Sequence, residues 1–438
     1  MPIDRYLNST NYVHPQESNL LDLHKAMQYN VLGEPILRTT LGPTATDAFG
    51  RFRISQPFTL FDTFHRYEDT GKSSIYTTGT NSTSTFDANG GNIIMSINTG
   101  SGHAVYRETN RVFAYQPGKS LLIQKTFCMG PAKPGLRQRI GYFDVNNGIF
   151  LERNGTEIAF VLRSSSINGT VRENRALKSD WNITPLDGTG ADKIVLDLSL
   201  SQIFYANIEW LGVGSVQCGF VINGQFIPCH VFHYANTPGS TTTYMTTACL
   251  PIRSEIENTT ATTSTSILRE ICSTVISEGG YELRGRPLSV GHTLNAPYRL
   301  GSINTLYPVI SIRLKSNRMG GIILPKNFSL APLTAANYRY VLLSGAITAG
   351  GGWQSAGDNS SVEYNFTATS VTNGIILETG FILATNQSSI SPALQDYPFA
   401  FQLERNSFTG LRYEFVLAVS TTAQNPDVVA SFNWEEVT

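Results

Sequence analysis

Charge is what this sequence has least of. Only 15% of its 438 residues are Asp, Glu, Lys or Arg, against about 25% in typical soluble domains, and the formal net charge is −1. The basic residues are scattered and form no stripe that would follow a phosphate backbone, so no nucleic acid is expected as a partner. No apolar run reaches the ~18 residues of a membrane span, so no membrane insertion is expected. Cysteine is scarce and odd in number, with Cys128, Cys218, Cys229, Cys249 and Cys272. The opening MPIDRYLNST lacks a charged segment followed by an apolar one, so a secretory signal is not expected and the thiols should stay reduced. There is no P-loop, no dinucleotide fingerprint and no H-E-x-x-H, and no cofactor is expected. No period of 20 to 50 residues recurs, which argues against a solenoid or propeller.

In place of charge the chain carries Ser, Thr, Asn and Gly, with β-branched and aromatic residues throughout. Long side chains that favour helices are few. Runs such as EIAFVLRSS and QIFYANIEWLGV read as short strands, and Ile158, Phe160 and Leu162 alternate as one buried face would. KIVLDLS is read the same way, with Ile194, Leu196 and Leu198 alternating. Asn-Gly pairs at Asn147-Gly148, Asn154-Gly155, Asn168-Gly169 and Asn223-Gly224 mark tight turns between them. The expected fold is all-β: two β-sandwich domains, jelly-roll or lectin-like, over 61–300 and 301–438. GAITAGGGWQSAGDNSS (345–361) reads as a long loop in the second.

Residues 1–60 differ. SNLLDLHKAMQYN (18–30) reads as one short helix whose Leu20, Leu23 and Met27 make a narrow apolar stripe. Such a helix on an extended segment forms no core of its own, so the segment is expected to be an arm that docks through that stripe.

The stretch WLGVGSVQCGFVINGQFIPCHVFH (210–233) gathers Cys218, Cys229, His230 and His233 and invites a metal reading. A two-residue turn at Asn223-Gly224 puts Ile222 opposite Gln225, Phe220 opposite Ile227 and Cys218 opposite Cys229. Both thiols then lie on an apolar face with Val216 and Phe220, while His230 points to the other side. His233 lies roughly 13 Å along the strand from Cys229, too far to share a zinc ion whose ligands sit within about 2.3 Å. No metal site is expected. A disulfide between Cys218 and Cys229 fits the spacing but not a reducing compartment. Pro228 has no N–H for an outer neighbour, so its strand should be a sheet edge or carry a bulge, and that edge is a candidate contact with a neighbouring subunit.

Other chemistry is thin. Glu255 and Glu257 fall on one strand face, the arrangement of a retaining glycosidase, but an exposed strand face with acids flanked by Arg253 is the blander account, and an enzyme is not expected. Asp144-Val-Asn-Asn-Gly148 lacks the distal Glu of a calcium loop and reads as a turn, as does Gly100-Ser-Gly-His103. The candidate aromatics for stacking on a sugar are Trp181, Trp353 and Tyr281.

Six runs together carry a family resemblance: DAFGRFRISQPFTLFD (47–62), QRIGYFDVNNGIFLERNGTEIAFVLRSS (138–165), SDWNITPLDGTG (179–190), WLGVGSVQCGFVINGQF (210–226), LPIRSEIENT (250–259) and ICSTVISEGGY (271–281). They resemble a family of virion structural proteins of marine tailed bacteriophages, over roughly residues 45 to 300 and more loosely beyond. The resemblance implies a virion component, a tail fibre or baseplate-type appendage, assembled as a homo-oligomer (a homotrimer by analogy) with other virion proteins. A capsid-decorating or head-fibre protein is the alternative within that class. A carbohydrate-binding module for host-surface glycans is the alternative outside it. The resemblance supplies no catalytic or binding residues.

Overall fold

A computed structural model of the chain describes residues 55–190, 193–282, 284–384 and 401–437, and the backbone of two three-residue strands before them. The chain divides into two compact units, Met1–Gln56 and Pro57–Thr438.

In the first unit Met27–Tyr29 pairs antiparallel with Pro35–Leu37. A helix over 18–30 is therefore corrected at its C-terminal turn, because these residues hydrogen-bond to a neighbouring strand and not along a helix. Met27 sits on that strand; Leu20 and Leu23 lie outside the described residues.

The second unit is all-β, with two main hydrophobic cores and smaller satellite clusters among its described residues. Among its described residues the only helical element is a single 3-10 turn, Lys178–Asp180. Strand Leu136–Phe143 shows how the sequence builds the first sandwich. Leu136, Ile140 and Tyr142 alternate into the main core, and Arg137, Arg139 and Phe143 take the opposite face. Gln138, inward among them, is satisfied by the backbone of Gly130, accepting from its N–H at 2.9 Å and donating to its carbonyl at 3.3 Å.

This strand belongs to a seven-stranded antiparallel sheet. In spatial order its strands are Thr170–Leu177, Glu157–Ile167, Gly148–Asn154, Leu136–Phe143, Ile252–Asn258, Ala104–Thr109 and Ser73–Thr78. An eight-stranded sheet packs against it. It runs Gln225–Phe232, Val216–Ile222, Gln202–Ile208, Leu121–Met129, Ser266–Ser277, Asn92–Ile97 and Thr83–Asp87, with Phe58–Phe64 also on Ser266–Ser277. Ile140, Leu151 and Phe160 from one sheet meet Ile123, Phe204 and Phe220 from the other, all fully buried. Each such side chain contributes about 1.5–3 kcal/mol of transfer free energy. KIVLDLS is not a strand: it forms an isolated Asp187–Val195 bridge and a turn, although Leu196 and Leu198 still reach the core.

The second sandwich starts at Arg286, earlier than the 301 read from the sequence, because Arg286–Gly291 pairs with the C-terminal strand Asp427–Val437. That strand also pairs with Tyr298–Arg299 and Ile322–Pro332. The facing six-stranded sheet runs Gln354–Ser355, Val362–Asn365, Tyr307–Leu314, Glu414–Thr421, Ala336–Ala349 and Ser370–Ala384. Part of the loop expected over 345–361 is thus strand. Leu300, Ile312, Phe328, Leu342, Leu417 and Trp434 fill the core.

The two sandwiches meet at a small apolar contact of Val112 and Ala114 with Ile322 and Leu324. Residues 402–405 lace across it. Leu403 N–H donates to Ile323 O at 3.1 Å and Arg405 N–H to Asn110 O at 3.0 Å. Glu404 pairs with Arg111 at 2.8 Å.

Candidate functional site

The outer face of the seven-stranded sheet carries a cluster of buried charge, Glu108, Arg139, Glu152, Arg163, Arg253 and Glu255. Strand register puts opposite charges side by side: Glu255 lies opposite Arg139, Glu257 opposite Arg137, Glu152 opposite Arg139 and Arg163 opposite Glu173. The result is a continuous ladder. Arg405, from the second sandwich, donates to Glu108 at 3.0 Å, and Arg253 donates to the same carboxylate at 2.7 Å. Arg253 also holds Glu255 at 2.7 Å, and Arg139 reaches Glu255 at 3.4 Å and Glu152 at 2.6 Å. Arg175 binds Glu152, and Arg163 binds Glu173 at 2.8 Å. The guanidiniums lie over a floor of Phe143 and Phe150: Arg163 is 4.9 Å and Arg139 5.3 Å from the Phe150 centroid. Burial alone would raise the Glu152 and Glu173 carboxyls; their arginines outweigh it and hold both below the usual range.

Glu255 and Glu257, singled out in the sequence as an acid pair, are both inside this network. Glu255 accepts from two arginines, and Glu257 accepts from Arg137 and from the Tyr106 hydroxyl. Burial and that hydrogen bond push the Tyr106 phenol well above its ordinary value.

At the sheet's end strand the ladder gives way to aromatics. Tyr76 lies directly opposite Tyr106, their rings 5.5 Å apart and nearly stacked. Phe408, from the second sandwich, closes on both at 5.9 and 6.4 Å. None of these three was singled out from the sequence. Tyr76 and Tyr106 are brought together by pairing of Ser73–Thr78 with Ala104–Thr109, and no local motif marks Phe408.

The aromatics that were singled out lie elsewhere. Trp181 is a core residue, 6% exposed, stacked on Phe160 at 4.3 Å with its indole N–H on Ala176 O at 3.2 Å, so it is corrected as a sugar contact. Trp353 is half-buried with the Arg313 guanidinium 3.7 Å from its ring centroid, so one face is already covered. Tyr281 packs in the contact between the sandwiches, stacked 5.8 Å from Phe58, and burial pushes its hydroxyl up to about 12.

Pro228 lies on the end strand of the eight-stranded sheet, opposite Gly219. The turn-based register holds from Ile222–Gln225 to there and then shifts by one: Cys218 faces His230, and Cys229 is the extra residue of a bulge. The expected Cys218–Cys229 pairing is corrected accordingly. Both cysteines are nonetheless fully buried, and neither is in a disulfide. Burial raises the Cys218 thiol well above its usual value. The edge beyond Pro228 is covered within the chain. Ile183 and Thr184 N–H donate to Cys229 O at 3.0 and 3.2 Å, and the Asn182 side chain exchanges two 2.9 Å bonds with the Val231 backbone. Among the described residues no group of three or more His, Cys, Asp or Glu is placed to hold a metal ion.

No protein-family model matches this chain, and no curated protein matches it. Solved structures do. A Bacillus licheniformis beta-glucanase covers 49% of this chain and 96% of its own at 14% identity and TM-score 0.30. The Emp47p carbohydrate recognition domain covers 53% and 99% at 9% identity and TM-score 0.32. A glycosyl hydrolase family 16 protein from Mycobacterium smegmatis covers 50% and 100% at 8% identity and TM-score 0.34. At these levels nothing about activity or ligand passes from them to this chain.

Proposed function

We propose that this chain is a structural subunit of a tailed-phage particle, a tail fibre or baseplate-type appendage that assembles with copies of itself. The observation that carries the reading is strand Ser370–Ala384. It is 15 residues long, ends its sheet, and exposes Ile375 (73%), Ile376 (54%) and Phe381 (73%). A long apolar edge strand is an aggregation hazard unless another chain covers it. A second copy of the same chain is the occupant we favour, since one such edge can serve both sides of a symmetric contact. The lacing of the two sandwiches by Arg405, Glu404 and Leu403 supports a stiff unit. The engagement of Glu255 and Glu257 by arginines supports a structural reading over hydrolysis, which needs one carboxyl free to protonate a leaving group.

The test is sedimentation velocity on the full chain at micromolar concentration. The wild type is expected to sediment as a closed oligomer, and Ile375→Lys with Phe381→Lys to shift it to monomer with unchanged far-UV circular dichroism. A monomeric wild type removes the reading. Carbohydrate binding is a second reading within the same appendage, favoured by the exposed Tyr76 ring.

A further inference from the structure

We infer that the edge of the seven-stranded sheet at Ser73–Thr78 is a carbohydrate-binding site that receives a neutral hexopyranose chain on the Tyr76 ring. This rests on the second reading above and gives it an address. Tyr76 is 41% exposed on the last strand of its sheet, while its stacking partner Tyr106 and the flanking Phe408 are half-buried. Tyr106 and Phe408 thus hold the outer ring in place, and Arg253, with its guanidinium 5.4 Å from the Tyr106 centroid and 5.0 Å from that of Phe408, braces both. A sugar binding to such a ring orders little that is not already ordered.

The polar groups beside the stack suit hydroxyls. Register places Thr78, Ala104, Glu257 and Arg137 in one row across three strand pairings, next to the row of Tyr76 and Tyr106. The Glu257 carboxylate is fixed by Tyr106 and Arg137, and a carboxylate has lone pairs for further donors. A pyranose ring offers what this arrangement lacks: an apolar C–H face for the aromatic and equatorial hydroxyls that both donate and accept. The Glu257–Arg137 pair is charge-balanced, which favours a neutral sugar over an acidic one.

The experiment is saturation-transfer NMR and calorimetric titration of the full chain with gluco-, galacto- and manno-hexaoses at up to about 10 mM, the weak range in which single-platform sites operate. At least one hexaose is expected to bind. Tyr76→Ala is expected to weaken it by about tenfold, and Tyr76→Phe to stay within about twofold, since the ring and not the hydroxyl makes the contact. Glu257→Gln is expected to weaken binding while leaving the stacked rings in place. Binding that Tyr76→Ala leaves unchanged overturns this site but spares the glycan reading. No binding by any hexaose overturns both, and leaves the sedimentation test of the structural reading untouched.

Discussion

The sharpest stability prediction concerns Glu270, at the centre of the first sandwich. This carboxylate is buried between the sheets, 3.2 Å from Lys125 Nζ and 4.0 Å from Arg107 Nε, and accepts from the Ser254 hydroxyl at 2.7 Å. Burial alone would raise its pKa; the two cations overcome that and hold it at about 2. The same burial pushes Lys125 below its usual value. Glu270→Gln keeps the shape and removes the charge. Arg107 retains Asp69, through bonds of 2.7 and 3.0 Å, but Lys125 keeps only neutral acceptors, the Ser273 hydroxyl at 3.3 Å and the introduced amide oxygen. A buried pair broken on one side costs about 3–5 kcal/mol. The loss is capped near 5 kcal/mol at neutral pH, because an unpaired ammonium sheds its proton at about that cost.

The pH dependence has a defined sign. Glu270 has a depressed folded pKa, so its contribution is complete above the ordinary carboxylate range of about 4.3 and is lost as pH falls toward 2. The substitution removes that slope. In the variant Lys125 is the destabilising group, so its gap from wild type narrows as pH rises from 7 toward 10. Pulsed hydrogen–deuterium exchange across a guanidinium series, read on peptides from Leu121–Met129 and Ser266–Ser277, measures the effect where it arises. Lys125→Met with Glu270→Met should recover most of the loss, because both charges leave together. A loss under about 1 kcal/mol that does not change with pH would mean that the buried Glu270–Lys125 pair carries no such weight.

Two further outcomes test the packing. A Cβ added at Gly219 would sit 2.1 Å from Ile227 O, a backbone atom, so Gly219→Ala should cost about 3 kcal/mol, whereas Gly352→Ala, with nothing within 4 Å, should stay within about 0.5 kcal/mol on thermal unfolding. Iodoacetamide followed by mass mapping should label half-buried Cys128 and Cys272 well before Cys218 and Cys229; a Cys218–Cys229 disulfide in the native protein would contradict the separate, core-facing thiols.

What the sequence disclosed follows from how local each signal is. The Asn223-Gly224 turn and the alternation beside it gave a correct register out to Gly219 and Pro228, since turn and pattern lie within a few residues. The bulge at Cys229 was announced only by Pro228, which flags an edge or a bulge without saying where the extra residue falls. Buried Cys218 and Cys229 were legible because a thiol among Val and Phe behaves as a small hydrophobe. Trp181 was not, since its burial depends on Phe160 and Phe220, contributed by other strands. The arginine ladder was hidden for the same reason. Arg253 and Glu255 suggest an exposed charged face until Glu108, Arg139 and Arg405, distant in sequence, converge on them. Phe408 joins Tyr76 only because residues 402–405 cross between the sandwiches.

A chain that is, as proposed, a built-in part of a phage particle must be found on intact virions. Immunogold labelling of purified phage particles, with antibody raised against the first sandwich and viewed by negative-stain electron microscopy, tests it directly. Gold is expected at fixed positions on the tail or baseplate of most particles. Unlabelled particles, with the protein recovered only as a free species in the lysate, would contradict it.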